Sequence, residues 1–427
     1  MKQIKLSINM LFKDWKNNQY YLFMIAIVTA ITFIFTNINY NQNLRVTMEV
    51  SQFGSLVPRY SSFVTFVIVI FAIVLAIYAY TYLLSKKTLE LKILKISGGS
   101  LRKIGLFLFV QNIIIIFLGS FIGILFGFVL NPIINYFIYN FLNIKDTCFY
   151  LHNDTITDCI KMNLLILAIT AILGIGYVYR YEIKNLSDEK NDWTKDKRII
   201  KFPTSVHMFL YLAGIIMFLT SDEVIGGVLA YSLIGCCGAS GLTRIKLCKY
   251  IKKVNRDKYY TDKIKKISNS NLIYSLKNSN LLVLGLLFSS TVMLSWAIGS
   301  INTPKEFIVA FVAYIISMLL LSSSVLCKYL FDLKKRNAEY FLLYKCGYTI
   351  DEIKKIISDE IKKFYFVIFC FSVIYIILIL FYPLILNKMN LITVLSIFSF
   401  YVIIIFIMMM LTIYLSIKSM KKEIQID

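Results

Sequence analysis

Lys86–Ile104 reads KKTLELKILKISGGSLRKI, and Lys335–Ile353 reads KRNAEYFLLYKCGYTIDEI. A shift of 249 pairs Lys86 with Lys335, Glu90 with Glu339, Leu94 with Leu343, Gly98 with Gly347, Ser100 with Thr349 and Ile104 with Ile353. In each copy a short apolar helix with basic residues between its apolar ones runs into a glycine. Glycine stops a helix because it accepts positive φ at little cost. Ser100 and Thr349 then stand where the N-cap of the next helix belongs. In the second copy Asp351 and Glu352 fill that helix's first turn, where negative charge suits the helix dipole. Gly99 follows Gly98 in the first copy only. Each copy therefore reads as a helix–turn–helix elbow.

Both elbows lie between apolar runs of about twenty residues, the length at which a helix crosses a hydrocarbon core of roughly 30 Å. Such runs fall near 20–38, 62–84, 105–130, 162–179, 204–220, 224–242, 281–300, 306–327, 364–386 and 391–416. The chain as a whole is 58% hydrophobic and 16% charged, with a mean hydropathy of +0.70. A soluble domain is near half apolar and a quarter charged. The expected fold is an all-α polytopic membrane protein with ten transmembrane helices.

The net charge of +22 would fit nucleic acid were it not segregated. Of 46 Lys and Arg, 40 fall in alternate connections, and the others keep only Arg45, Arg59, Lys145, Lys161, Lys305 and Lys388. The positive-inside rule makes the basic side cytoplasmic, with both termini on it and anionic headgroups against it. The first apolar run is too long, and lacks the small-residue site, for a cleaved signal peptide. The wealth of Ile, Lys and Asn suits an AT-rich bacterial genome, and hence a bacterial cytoplasmic membrane.

Polar stretches ending in Lys16-Asn17-Asn18 and Lys277-Asn278-Ser279 lead into spans one and seven. The chain then divides as 1–180 (spans one to four), 181–265 (a linker and spans five and six) and 266–427 (spans seven to ten). Six helices separate corresponding spans, an even number, so the two four-helix repeats are parallel and a two-helix insert joins them.

At the elbow residues Glu90, Leu94, Gly98, Gly99, Ser100, Ile104, Glu339, Leu343, Gly347, Thr349 and Ile353 the chain resembles the FtsX-like permeases of ABC transporters, which include MacB-type exporters and BceB-type permeases. The shared pattern is a Glu, an apolar helix, a small residue and Gly, a Ser or Thr, and an Ile. Ten spans as four, two and four resemble the BceB type throughout. That type carries a large extracellular domain between spans seven and eight, where this chain has only Ile301–Lys305. MacB-type members carry one after span one, where this chain has Asn39–Ser61.

The resemblance implies a non-catalytic permease subunit whose elbows couple to a separate cytosolic ABC ATPase, a dimer that holds the ATP and Mg²⁺. It implies export, removal or sensing of an amphipathic substrate, an antimicrobial peptide or a lipid-like molecule. Without a large outer domain, substrate is met between helices or presented by a second permease that carries that domain. The alternative is an ATPase-driven scaffold that signals to a sensor kinase or a cell-wall hydrolase without transport.

The residues agree with a chain that binds no nucleotide or metal itself. No Gly is followed by Lys, so no phosphate-binding P-loop exists. His152, read as decorating a solvated loop, and His207 stand alone, and no Cys/His spacing fits zinc. Apart from Glu306 and His207 near their edges, the spans carry no Asp, Glu, Lys, Arg or His, which disfavours an ion-coupled transporter. Span three carries Gly119, Gly123 and Gly127, a small-residue face for close helix packing within the bundle or with another subunit. Tyr136, Phe137, Tyr139, Phe141, Phe149 and Tyr150 read as an interfacial belt, and Met408-Met409-Met410 as packing. Cys148 and Cys159 share one outer connection and either pair or stay free; spacing does not decide.

This topology predicts that an impermeant thiol reagent applied to intact cells labels Cys148 but not a cysteine introduced near Lys252. The reverse pattern would overturn the orientation.

Overall fold

The computed structural model describes residues 2–41, 43–44, 60–186, 203–220, 226–257, 259, 262–278, 280–299, 304–385 and 389–424. The expected boundary at 180/181 falls inside a helix that runs to Leu186, and most of the linker expected after it lies outside that description, as do parts of 39–61 and 301–305. All regular elements among the described residues are helical. The chain forms two compact units, Met1–Lys201 and Phe202–Asp427.

The first unit holds α1 (Lys2–Lys13), α2 (Trp15–Tyr40), α3 (Tyr60–Lys86), α4 (Thr88–Ile96), α5 (Leu101–Leu142) and α6 (Asn153–Leu186). α2 is its core and packs on α3, α5 and α6. The glycine face of α5 lies on α2. A Cβ added to Gly119 would sit 2.8 Å from the Ile25 side chain, and one on Gly127 2.8 Å from the Phe33 ring. At Gly123 the obstacles are atoms fixed to the α2 backbone, the Thr29 Cβ 2.5 Å and the Ala26 carbonyl oxygen 2.6 Å from the added atom. Neutral polar groups tie the same helices. Tyr21 donates to Asn112 Oδ1 (2.9 Å), and Asn112 donates to Thr170 Oγ1 (2.8 Å). Asn163 accepts from Thr29 (3.2 Å).

α5 runs 42 residues, about 63 Å, far past the stretch 105–130. It carries Tyr136, Phe137, Tyr139 and Phe141 on its final turns, and only 143–152 connects it to α6. That connection is pinned. Asn37 and Asn131 both donate to the Tyr150 carbonyl (2.8 and 3.1 Å), and Asn135 to that of Cys148 (3.2 Å). Tyr139 is buried and accepts from Asn41 (2.7 Å), and Tyr150 donates to the Tyr40 carbonyl (3.2 Å). Those two aromatics are therefore tethers, whereas Tyr136, Phe137, Phe141 and Phe149 are exposed. His152 is no free loop residue, since its ring stacks on Tyr40 at 4.8 Å. Cys148 and Cys159 are both free thiols. Cys159 belongs to α6 and is buried against Thr29 and Thr32 of α2, away from the outer connection.

The second unit holds α7 (Thr204–Thr220), α8 (Gly226–Gly241), a π-helical turn (Leu242–Leu247), α9 (Cys248–Asp257), α10 (Lys263–Asn278), α11 (Asn280–Gly299), α12 (Pro304–Lys345), α13 (Ile350–Ile385) and α14 (Leu391–Ile424). α7 and α8, read above as a separate insert, pack on each other inside this unit, and α8 packs on α11. Tyr375 of α13 donates to the Tyr211 carbonyl of α7 (3.0 Å). The basic stretch 328–363 is almost entirely helix, broken only at 346–349.

Over its described residues each of the ten apolar stretches is helical, with 224–242 running from α8 into the π-helical turn. Seven of those helices, α2, α3, α5, α6, α12, α13 and α14, are long and apolar enough to cross a membrane. α7 and α11 contribute the shorter apolar segments Thr204–Met217 and Leu287–Ile298, and α8 has 16 residues. At 1.5 Å per residue α7 and α8 reach about 25 Å, short of a full hydrocarbon core. Outward faces of the long helices carry Phe117, Phe121, Ile172 and Phe366 in the open, a surface that suits acyl chains. The chain is a multi-pass membrane protein.

Gly123→Ala is expected to destabilise the first unit by about 1–3 kcal/mol, because backbone has to move. Gly105→Ala, on the same helix with nothing within 4 Å of the new atom, should be neutral or stabilising. Thermal unfolding in detergent compares them, and equal midpoints would refute the tight α2–α5 seam.

Candidate functional site

The two elbows have the same backbone. Gly98 has φ 83° and Gly347 φ 91°, the positive-φ glycines among the described residues. The Gly98 amide donates to the Lys95 carbonyl (3.1 Å) and the Gly99 amide to that of Leu94 (2.9 Å). In the second elbow the Gly347 amide donates to Tyr344 (3.0 Å) and the Tyr348 amide to Leu343 (3.1 Å). This doubly bonded left-handed cap is the Schellman motif, which satisfies carbonyls a helix end leaves open. Leu94 and Leu343 are thus the acceptors of equivalent bonds. A Cβ on Gly99 would lie 2.5 Å from the Leu94 oxygen.

The elbows differ in how the next helix starts. Ser100 takes the N-cap backbone conformation, but its hydroxyl makes no capping bond. Thr349 accepts from the Glu352 amide (3.2 Å), and its own amide donates to the Glu352 carboxylate (2.8 Å). The second elbow therefore has a full capping box, which the first lacks because Lys103 stands where that Glu is needed.

Ile104 and Ile353 are buried anchors of α5 and α13. Glu90 and Glu339 do not match. Glu339 is exposed, whereas Glu90 faces inward near Lys87 and Asp14. Burial holds its carboxyl above the ordinary value, against the pull of Lys87. On the outer surfaces Ile93 and Ile96 lie open among Lys92, Arg102 and Lys103, and Leu342 lies open beside Lys345. Lys354 is engaged by Asp351.

Behind each elbow a buried cation ties three helices. Lys87, fully buried between α3 and α4, donates to Gln111 of α5. Gln111 donates in turn to the Ser7 carbonyl of α1 (3.1 Å). In the second unit Arg336 of α12 meets Glu360 of α13 through two bonds (3.2 and 3.0 Å), and Ser275 of α10 donates to the same carboxylate (2.6 Å). Shifting by 249 carries Lys87 onto Arg336 and Gln111 onto Glu360. Sequence reading missed these residues, although the pairing of the two segments continues seven positions past Ile104 and Ile353 to reach them.

The two clamps differ in electrostatics. Burial lowers the pKa of Lys87, with Glu90 and Asp14 acting the other way. For Arg336 burial is the largest influence and disfavours the charge, but Glu360, Tyr340 and Tyr329 together outweigh it and the guanidinium stays protonated. Rings of Tyr274, Tyr329 and Tyr340 flank it at 5.5–5.9 Å, within cation–π range.

Residues 62–186 match the family model of the FtsX-like permease C-terminal domain. The match spans α3 to α6, with the first elbow and Lys87 and Gln111 of its clamp, so this segment of the chain is an FtsX-like permease C-terminal domain. That family implies an ABC ATPase as partner. No curated protein matches the chain.

Glu360→Gln is expected to cost about 3–5 kcal/mol, because it leaves a buried guanidinium without its counter-charge. Adding Arg336→Lys should recover part of that loss, since a buried lysine can shed its proton where arginine cannot. The pair then reproduces the Lys87–Gln111 chemistry. Unfolding midpoints of the single and double variants read this, and strict additivity would remove the clamp as a coupled unit.

Proposed function

We propose that the chain is the permease subunit of an ABC transporter and that its two elbows receive movement from a cytosolic ATPase. The observation that carries this reading is the pair of elbows, each with a glycine at positive φ, a doubly bonded cap and a buried cation clamp behind it. A clamped elbow moves as one body with its two long helices, and force applied there is passed along them rather than absorbed in a loop. Exposed apolar side chains ringed by lysine and arginine give an ATPase both contact area and charge complementarity.

In this reading ten helices span the membrane as two parallel four-helix halves, with α7 and α8 as the added pair. The two matched clamps support the parallel arrangement. Both termini and both elbows are cytoplasmic, the membrane is the bacterial plasma membrane, and ATP and Mg²⁺ are bound by the ATPase dimer. The substrate is an amphipathic molecule, a peptide antibiotic or a lipid-like compound. The outer connection 143–152 is short and tethered, whereas a standard protein interface takes roughly 800 Å² from each side. Substrate is therefore met between helices, or through a second permease with an outer domain.

The backbone of the elbows supplies the test. Nothing lies within 4 Å of a Cβ added at Gly98 or Gly347, so a substitution there is penalised by positive φ alone. Asn tolerates that region, whereas β-branched Val does not, at about 1–3 kcal/mol. Gly98→Val with Gly347→Val should leave a folded chain that loses its ABC ATPase on purification from native membrane, while the two Asn variants should keep it. ATPase retained and active with the Val pair would exclude the elbows from coupling.

A further inference from the structure

Between α13 and α14 lies an open-sided groove of about 470 Å³. The Phe369 ring stacks on Tyr401 at 6.0 Å, and the Tyr365 and Thr412 hydroxyls meet at 2.9 Å, so the two helices run antiparallel. The walls are Tyr365, Phe366 and Phe369 on one side and Val402, Ile405 and Phe406 on the other. These positions recur at three and four residues, so each wall is one helix face. At one end, where Met409 closes the trough, the lining changes to Lys362 and Lys363. Seven residues separate Lys362 from Phe369, so the trough is about 10 Å long.

The distribution of charge is one-sided. Lys362 is exposed and enters no ion pair among the described residues. Lys363 is half-buried and donates one hydrogen bond to Asn269 (2.7 Å), which leaves two of its protons for another acceptor. Asp359 and Asp262 attract the Lys363 charge and Lys265 repels it. The volume falls in the range of ligand sites, which begins at about 300 Å³. An apolar trough with two ammonium groups at one end complements a molecule with a hydrocarbon tail and an anionic head. A free phosphate would leave the trough unused, and a zwitterionic lipid would bring a cation to the lysines. Basic pockets between membrane helices recognise anionic headgroups on these grounds.

We propose that this groove binds an anionic phospholipid of the surrounding bilayer, with an acyl chain along the aromatic trough and its phosphate on Lys362 and Lys363. The site needs only that the chain spans a membrane and is independent of transport. A lipid seated there touches α13 from about its fourth turn after the second elbow, so it stiffens the α13–α14 pair.

The test is native mass spectrometry of the delipidated full-length chain, titrated with phosphatidylglycerol or phosphatidylcholine of equal chain length. Phosphatidylglycerol should bind roughly tenfold more tightly, and Lys362→Gln with Lys363→Gln should bring the two lipids close to parity. Val402→Trp fills the trough and keeps both lysines, so it should abolish the tight phosphatidylglycerol site and covers the case in which the lysine variant does not fold. Millimolar inorganic phosphate should leave the lipid bound. Equal affinity for both lipids, unchanged preference in either folded variant, or displacement by phosphate alone would overturn the proposal.

Discussion

An ion buried in low dielectric has to be paired and hydrogen-bonded or it unfolds its surroundings. In this protein that constraint falls behind both elbows. Arg336 is 2% exposed and Glu360 is fully buried, so the helices that carry them, α12 and α13, are held at one relative position. Ser275 brings α10 into the same arrangement, and the aromatic faces around the guanidinium exclude water from it. The first unit solves the same geometric problem with less charge. Lys87 meets an amide rather than a carboxylate, and the amide's other end is used to hold α1. Two parallel bonds fix the Arg336–Glu360 pair in distance and rotation, and a single bond joins Lys87 to Gln111.

The two units spend their packing differently. α5 rests on α2 through three glycines, and the backbone-to-backbone approach leaves that seam little freedom. Ile368 stands in α13 where a shift of 249 would put a counterpart of Gly119, and it is buried by side-chain packing instead. The second unit has its glycine seam elsewhere, between α7 and α8, where a Cβ added to Gly238 would lie 2.3 Å from the Tyr211 amide nitrogen.

Much of this was legible along the chain. Apolar run length gives the membrane class, because the bilayer thickness converts directly into residue number. Each elbow is set by local chemistry, in which Gly98 and Gly347 accept a conformation other residues resist, and their positive φ angles are as the pattern required. The Thr349–Glu352 capping box is equally local, three residues apart. Segregation of Lys and Arg sets the expected orientation in the same way.

Other features required partners distant in sequence, which periodicity does not encode. Nothing in the residues around Gly119, Gly123 and Gly127 says whether the facing helix is α2 or another subunit; the structure places α2 there. Cys159 lies 11 residues from Cys148 and was open to pairing with it, but α6 begins at Asn153 and turns that thiol into the bundle. Glu90 and Glu339 are equivalent in register, yet one is turned inward by Lys87 and the other is solvated. The clamp residues looked like ordinary basic and polar members of charged stretches, because burial is a property of packed helices and not of composition. The chain alone thus determined the apolar runs and the two glycine breaks, whereas helices such as α5 and α12 extend well past those runs. The tertiary structure decided which of their charges are buried and paired, because that depends on contacts made across 24 to more than 100 residues.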